Sequence, residues 1–507
     1  MKLLTRVAER AKMRQKQSGK GVREQVVEHV AKFSLASLVG GMGSFFSNYF
    51  AALLLGPMVW GTWQGAKLVL QYGVNLHLGV QNGMHREIPI LRGKKESGQQ
   101  ATIIDVSFTF SFVIALIVSL GILFSTFIIT MGPELRISLR FIAIMVFLQY
   151  IYSFYGYLFR AYSEFDIVSR VALIDGLSNG FSIGLIFPFG LLGFLGGQVL
   201  RLLITTAYSW WKSSYTINWR WNSRVLKSLI LIGFPIMLML FANIIFTTID
   251  RLLILKFLDA RSLGFYSLGK LVFAPLLMVF TASNSVMYPR FAEQYGKTGD
   301  PRSLKRYITV PMEVLSSAMA VLVGAIYIAL PLLTKVFLPK YVDGVPAARI
   351  LMFGLFFYAI SGMAGNMLLT INKQVLRLWI LLGSALLNFG FSFVALKLGY
   401  GIEGVAAGTS IAYFLFFLTI SVMAMKYTHA PPKETGKLLT HVLGVIFYIG
   451  IIAVLLPTFF SIDVRSSHVV VRIIINELVL VACSSYIIYK LIQRHRIVEL
   501  IRGRWPF

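Results

Sequence analysis

Charge is what this chain has least of for its size. Only 14% of its 507 residues are Asp, Glu, Lys or Arg, and acids are the scarcer sign, 21 against 48 bases, for a net charge of +27. With 57% hydrophobic residues and a mean hydropathy of +0.73, there is too little polar surface to cover a water-soluble fold of this length, so lipid must solvate much of it. The lone cysteine, Cys483, rules out a disulfide framework and a cysteine metal centre, and inside an apolar run it reads as packing. Neither Gly-x4-Gly-Lys-Ser/Thr nor His-Glu-x2-His occurs, which argues against an ATP-driven pump in one chain and against a zincin-type metal site. No polar stretch is long enough for a soluble domain, so the positive charge belongs to membrane topology rather than to nucleic acid. Residues 1–32 are polar and basic without a short apolar core and cleavage site, so the first membrane helix is expected to act as its own signal.

What is present is a series of apolar runs from Phe33 to Tyr489, each about twenty residues or more and therefore long enough to cross a hydrocarbon layer of about 30 Å. They predict an all-α polytopic membrane protein with about fourteen transmembrane helices. The second is expected at 59–84, the fifth and sixth at 165–190 and 191–212. Lys and Arg collect on alternate sides, at Arg86/Arg92/Lys94/Lys95, Lys212/Arg220/Arg224/Lys227 and Arg290/Lys297/Arg302 among others, which puts both termini in the cytoplasm of a cell whose inner membrane holds the chain.

The chain also repeats itself. Gly61-Thr-Trp63-Gln-Gly-Ala-Lys67-Leu68-Val69 lies over Gly264-Phe-Tyr266-Ser-Leu-Gly-Lys270-Leu271-Val272 at an offset of 203, and Gly193-Phe-Leu-Gly-Gly197 lies over Gly404-Val-Ala-Ala-Gly408 at 211. Two parallel six-helix units follow, 33–212 and 228–425, with helices at 438–490 outside the symmetry and basic tails at 1–32 and 491–507. In such parallel repeats a transport site is expected near midplane between the units.

At Ile249-Asp250-Arg251-Leu252-Leu253-Ile254, followed by Leu263-Gly264-Phe-Tyr266-Ser-Leu-Gly-Lys270-Leu271, the chain resembles the polysaccharide-transporter branch of the multidrug/oligosaccharidyl-lipid/polysaccharide (MOP) exporter superfamily, whose members flip lipid-linked O-antigen, capsule and exopolysaccharide repeat units. The resemblance, with the repeat, covers about 33–425. It implies V-shaped N and C lobes, alternating access, a cavity lined by the first, second, seventh and eighth spans, and an accessory final helix pair. The charge pair is not duplicated: Ser47-Asn48 stands where the second repeat has Asp250-Arg251.

Ionisable groups deep in a membrane cost about 2.5–3.5 kcal/mol on insertion scales, which makes them functional candidates. Lys67 and Lys270 sit at equivalent depth in the two repeats and suit the diphosphate of a polyprenyl-linked sugar, against the plainer reading that both snorkel to the interface. Arg201 suits bidentate phosphate contact, or a structural pair with Asp175. Asp250 and Arg251 point about 100° apart on a helix, so Asp250 is expected either to neutralise Lys270 or to open from it as a gate that substrate diphosphate displaces. Glu313 and Glu477 are candidates for proton or cation coupling, since a desolvated carboxylate can change charge state. Arg86 and Arg290 lie toward the cytoplasmic ends of their helices, where they would draw an anionic head group to a cavity mouth or simply fix topology. His77 either lines a cavity or packs.

The resemblance thus implies a flippase, not an enzyme, for undecaprenyl-diphosphate-linked oligosaccharide, with a lipid II flippase as the near neighbour and a cation-coupled antiporter of the multidrug and toxin extrusion type as the rival. A membrane-embedded polymerase or ligase is the third reading, and the short outer loops offer it no catalytic residues. No cofactor is expected beyond a coupling ion, H+ or Na+. The partners expected are the lipid-linked oligosaccharide, membrane lipids, and a polysaccharide polymerase and glycosyltransferases, with no nucleic acid.

Overall fold

In the computed structural model the described residues are 22–459 and 469–495, and every regular element among them is helical. The basic tails expected at 1–32 and 491–507 fall largely outside them. In chain order the helices are α1 (Val22–Val74), α2 (Val80–Gly93), α3 (Ser97–Ile128), α4 (Pro133–Ala161), α5 (Phe165–Lys212), α6 (Ser223–Phe257), α7 (Ala260–Thr298), α8 (Lys305–Phe337), α9 (Val345–Thr370), α10 (Gln374–Lys397), α11 (Gly401–Tyr427), α12 (Pro432–Phe459) and α13 (Val469–His495). Among the described residues eleven helices are long and apolar enough to cross a membrane, which makes this a multi-pass membrane protein.

Two of these long helices are hairpins. In α5 the backbone leaves helical geometry at Gly190 (φ 54°), two residues after Pro188. A Cβ on Gly197 would lie 2.4 Å from the Ser182 Cα, so the two legs run back along each other in backbone contact. In α1 the departure is at Gly56 (φ 73°), followed by Pro57. Phe50 stacks near Phe187 at 6.2 Å and Trp63 near Phe194 at 5.3 Å, although a straight helix would carry Trp63 about 20 Å past Phe50. Each turn needs a positive φ that costs only glycine nothing, and each gives one helix where the sequence pattern predicts two spans.

The second span ends earlier than the apolar pattern suggests. Helix α1 stops at Val74, and the chain restarts as α2 only after Gly79 (φ 80°). The Tyr150 hydroxyl donates to the Gly73 carbonyl at 2.8 Å, satisfying a carbonyl at the helix end. A Cβ at Gly233 of α6 would lie 1.9 Å from the Gly79 carbonyl oxygen, so this close approach fixes where the break falls.

The chain divides into two compact units, 1–248 and 249–507. In the first, α1 and α5 meet through small residues: a Cβ on Gly43 would lie 2.2 Å from the Gly176 carbonyl oxygen. In the second, α9 sits at the centre with nearly all of its large side chains buried, Leu351, Met352, Phe356, Ile360, Met363 and Met367 among them. Asp259 caps α7 by accepting from the Ser262 N–H at 2.7 Å, a bond that holds its carboxyl below the usual range.

Candidate functional site

The richest polar cluster in the second unit starts from the motif at 249–254. Asp250, on α6, is fully buried. Its Oδ2 accepts from the Lys270 Nζ at 3.0 Å and from the Tyr266 hydroxyl at 2.7 Å, both from α7. Residues 266 and 270 are one turn apart, so one face of α7 presents both donors to a single carboxylate oxygen. The network continues: the Tyr266 hydroxyl lies 3.3 Å from the Thr409 Oγ1 on α11, which donates to the Asn388 Oδ1 on α10 at 3.0 Å, and Ser392 donates to the same oxygen at 3.1 Å. Four helices thus share one buried hydrogen-bonded chain that ends on an ion pair. Lys270 keeps 23% of its side chain exposed while Asp250 keeps none, so the cation is the member of the pair that can be reached. Arg251, one residue on, is also buried.

The first unit keeps a lysine, Lys67, where the second has Lys270, but has Ser47 in place of the acid Asp250. Ser47 is buried and accepts from the Gln198 Nε2 at 3.3 Å. Asn48 turns back on its own helix to the Ser44 carbonyl at 2.7 Å. Trp63, where the second repeat has Tyr266, is buried with no hydrogen-bond partner for its indole N–H among the described residues. Lys67 is half-buried on the second leg of α1. Arg201 pairs with Asp175 across the α5 hairpin and also donates from Nε to the Gln198 Oε1 at 3.2 Å. That pair joins the two legs of one hairpin and stays partly exposed, at 17% and 24% of the two side chains.

The remaining candidates are scattered. Glu313 is buried on α8, where its carbonyl accepts from Ser316 and Ser317, and the Ser317 Oγ lies 3.1 Å from the His441 Nε2 on α12. Glu477 is half-buried on α13 beside Asn476, which is fully buried with neither amide atom partnered among the described residues. Arg86 is exposed on the short helix α2, and Arg290 is half-buried on α7. His77 lies in the break between α1 and α2, where its Nδ1 accepts from the Gly79 N–H at 3.0 Å and its ring meets Tyr150 edge-on at 6.4 Å. Burial drives its imidazole down to about 4. No group of three or more metal-ligating side chains occurs among the described residues.

Two arginines went unmarked in the sequence. Arg377, on α10, lies against Gly365 of α9 and has a buried Nε with no partner among the described residues. Arg349, on α9, donates through Nε and Nη2 to the Tyr327 carbonyl at 3.0 and 2.9 Å. In the sequence Arg377 reads, with Lys373, as one of the positive charges that mark the cytoplasmic side, and Arg349 falls just inside the span expected at 347–371. Only the packing of α8, α9 and α10 shows both to be enclosed.

The sequence profile of polysaccharide biosynthesis proteins matches residues 90–346. No curated protein matches the sequence. Among solved structures, the lipid II flippase MurJ in an inward closed conformation superimposes with a TM-score of 0.68 at 14% identity, covering 91% of this chain and 99% of that one. An inward-facing multidrug resistance MATE family transporter of the MOP superfamily gives 0.61 at 15% identity, covering 80% of this chain and 99% of that one. A MOP superfamily transporter from Pyrococcus furiosus gives 0.57 at 15%, with 79% and 95% covered. The helical architecture is therefore shared with transporters of that superfamily.

Proposed function

This chain belongs to the polysaccharide biosynthesis protein family, and on that premise we propose that it flips undecaprenyl-diphosphate-linked oligosaccharide across the inner membrane by alternating access, with both termini in the cytoplasm and without acting as an enzyme. The observation that carries the reading is the Lys270–Asp250–Tyr266 cluster. A partly exposed cation held against a buried carboxylate is a site that an incoming diphosphate can compete for. When Lys270 turns to the phosphate, Asp250 keeps the Tyr266 hydroxyl, so the carboxylate is not left bare at the moment of exchange. Charge-assisted contacts to a diphosphate do not depend on the sugars beyond it, which suits a carrier that must pass a bulky glycan.

Glu313 and Glu477 stand as candidates for coupling to H+ or Na+, and the nearby biosynthetic partners would be a polymerase and glycosyltransferases. A second reading, a lipid II flippase, is favoured by the 91% coverage in the superposition on MurJ, against about 80% for the MATE structure.

The test is export of surface polysaccharide in a strain lacking the gene, complemented with wild type, Lys270→Ala, Lys270→Arg and Lys67→Ala at matched membrane abundance. Restoration by wild type and by Lys270→Arg, with loss in Lys270→Ala and build-up of lipid-linked repeat units on the cytoplasmic face, supports the proposal. Undiminished export with Lys270→Ala sinks the role given to the cluster. Normal polysaccharide with blocked peptidoglycan synthesis in the deletion strain moves the substrate to lipid II.

A further inference from the structure

Two adjoining cavities on the second unit share a stretch of wall on α11 and form a two-part groove. One, of about 560 Å3, is lined by Tyr327 of α8, by Arg349 and Phe353 of α9 and by Ser410 of α11. The other, of about 810 Å3, runs between α10 and α11 past Leu387, Gly390 and Val394. Ala407 and Ile411 line both. Several walls of the larger cavity are exposed, Leu386 at 72%, Leu398 at 67% and Val394 at 54%, so the groove lies on the outside of the unit, and neither α6 nor α7 contributes a residue to its lining. It is therefore separate from the Asp250–Lys270 cluster.

The polar end of the groove has a structural origin. Pro331 sits four residues after Tyr327 in α8 and has no N–H to give the Tyr327 carbonyl. Arg349 supplies the missing donors with two of the five N–H groups a guanidinium carries, and its charge rests 4.4 Å from the centre of the Tyr327 ring. Tyr327 lies ten residues before the end of α8 at Phe337, about 15 Å along the helix. Arg349 itself lies four residues after the start of α9 at Val345, about 6 Å along that helix, and its half-buried charge has no salt bridge to a carboxylate among the described residues; the one acid in the lining is Glu403. A guanidinium with three N–H groups left over is suited to meet an anion.

We propose that the groove holds one anionic phospholipid of the surrounding bilayer, with its phosphate on Arg349 and an acyl chain laid along α10 and α11. The occupant is a resident lipid and not the transported molecule, because the lining excludes the helices that carry the buried ion pair. The pairing of one cation with a long apolar channel matches a head group and a tail, and neither half alone accounts for both features.

The experiment uses the full-length protein purified in detergent, stripped of lipid and then offered phosphatidylglycerol or phosphatidylcholine, with retained lipid counted by native mass spectrometry. Arg349→Gln removes the charge but keeps an N–H for the Tyr327 carbonyl. Ala407→Leu narrows the junction of the two cavities and leaves the arginine in place. Wild type is expected to retain phosphatidylglycerol about tenfold over phosphatidylcholine, Arg349→Gln to lower that preference to about twofold or less, and Ala407→Leu to reduce retention of phosphatidylglycerol while melting like wild type in lipid-free detergent. Equal retention of both lipids by wild type would mean bulk lipid filling a surface hollow, and wild-type preference in Arg349→Gln would remove the arginine from the site; either overturns the proposal. Displacement of phosphatidylglycerol by undecaprenyl phosphate at equal concentration also overturns it, by assigning the groove to the cargo's tail.

Discussion

The two repeats place different chemistry at matching positions, and the difference separates what a helical scaffold needs from what it adds. At Ser47, Trp63 and Gln198 the first unit has a neutral contact between α1 and α5, with the indole N–H left unpaired among the described residues. At Asp250, Tyr266 and Thr409 the second has a buried ion pair and a hydrogen-bonded chain through four helices. Both sets hold their helices together, so the charge is not required for packing. A buried ion pair is weak support for stability when compared with an apolar replacement, and the acid that completes it in the second repeat, Asp250, is replaced by Ser47 in the first, where Lys67 keeps the cation. The first unit spends its polar residues elsewhere: Arg201 and Asp175 close the α5 hairpin, and the break at 75–79, with no counterpart in the continuous α7, takes up His77 and Tyr150.

The comparison breaks most sharply at Asp250. Asp250→Ala would leave Lys270 without its carboxylate and Tyr266 with only the longer contact to Thr409, and a loss of about 3–5 kcal/mol is expected from stranding one half of a buried pair. Thermal melting of the detergent-solubilised protein checks it. Asp250→Asn with Lys270→Met removes both charges together and should melt close to wild type, yet fail to export polysaccharide. If the double variant melts as low as Asp250→Ala, the pair is structural and the contrast between the repeats carries no functional meaning.

Packing in the first unit rests on glycine instead. Gly43→Ala would push a methyl group to within 2.2 Å of the Gly176 carbonyl oxygen, a backbone atom that cannot step aside. A loss of about 1–3 kcal/mol follows for such overpacking. Gly390→Ala, whose added Cβ meets nothing within 4 Å, is the control and should melt like wild type.

Acid should act on the first unit through His77. Its imidazole is held down at about 4 by burial, against an ordinary 6.5. The folded form therefore binds fewer protons than the unfolded form between those values, so the contribution is complete above about pH 6.5, is lost as pH falls toward 4, and changes no further below that. At pH 5 the loss is of the order of 2 kcal/mol. A His77→Gln variant should flatten the melting temperature between pH 7 and pH 5 relative to wild type; an unchanged slope would assign the acid sensitivity to other groups.

The helical, multi-pass character of the chain was legible because apolar run length reports on lipid directly. The Asp250–Lys270 contact was also within reach, since a lone acid and a lone base on successive spans have few other partners in an apolar setting. The break at Val74–Gly79 was not, because Leu76 and Leu78 continue the apolar run and only the approach of Gly233 decides where the helix stops. The turns inside α1 and α5 were legible, by contrast: the span boundaries expected at 56/59 and 190/191 fall on Gly56 and Gly190, where the backbone leaves the helix. Arg349 and Arg377 were missed for a reason related to that of the break at Val74–Gly79. Near the predicted ends of spans an arginine reads as a topology signal, and enclosure depends on helices far away in sequence. The value of Lys67, Arg201, Glu313, Glu477, Arg86 and Arg290 to transport rests on experiment, since position alone does not assign a role.

The smallest expected effect checks whether the Ser47 position, which stands where the second repeat has Asp250, takes any part in transport. Ser47→Ala removes an acceptor that the Gln198 amide can do without, because Gln198 also reaches the Ser182 Oγ at 3.0 Å and receives the Arg201 Nε at 3.2 Å. One hydrogen bond among several is worth about 1 kcal/mol or less, so melting should fall by no more than a few degrees and polysaccharide export should be unchanged. If Ser47→Ala instead abolishes export as Lys270→Ala is expected to, the serine position shares in transport, and both repeats rather than the second alone handle the substrate.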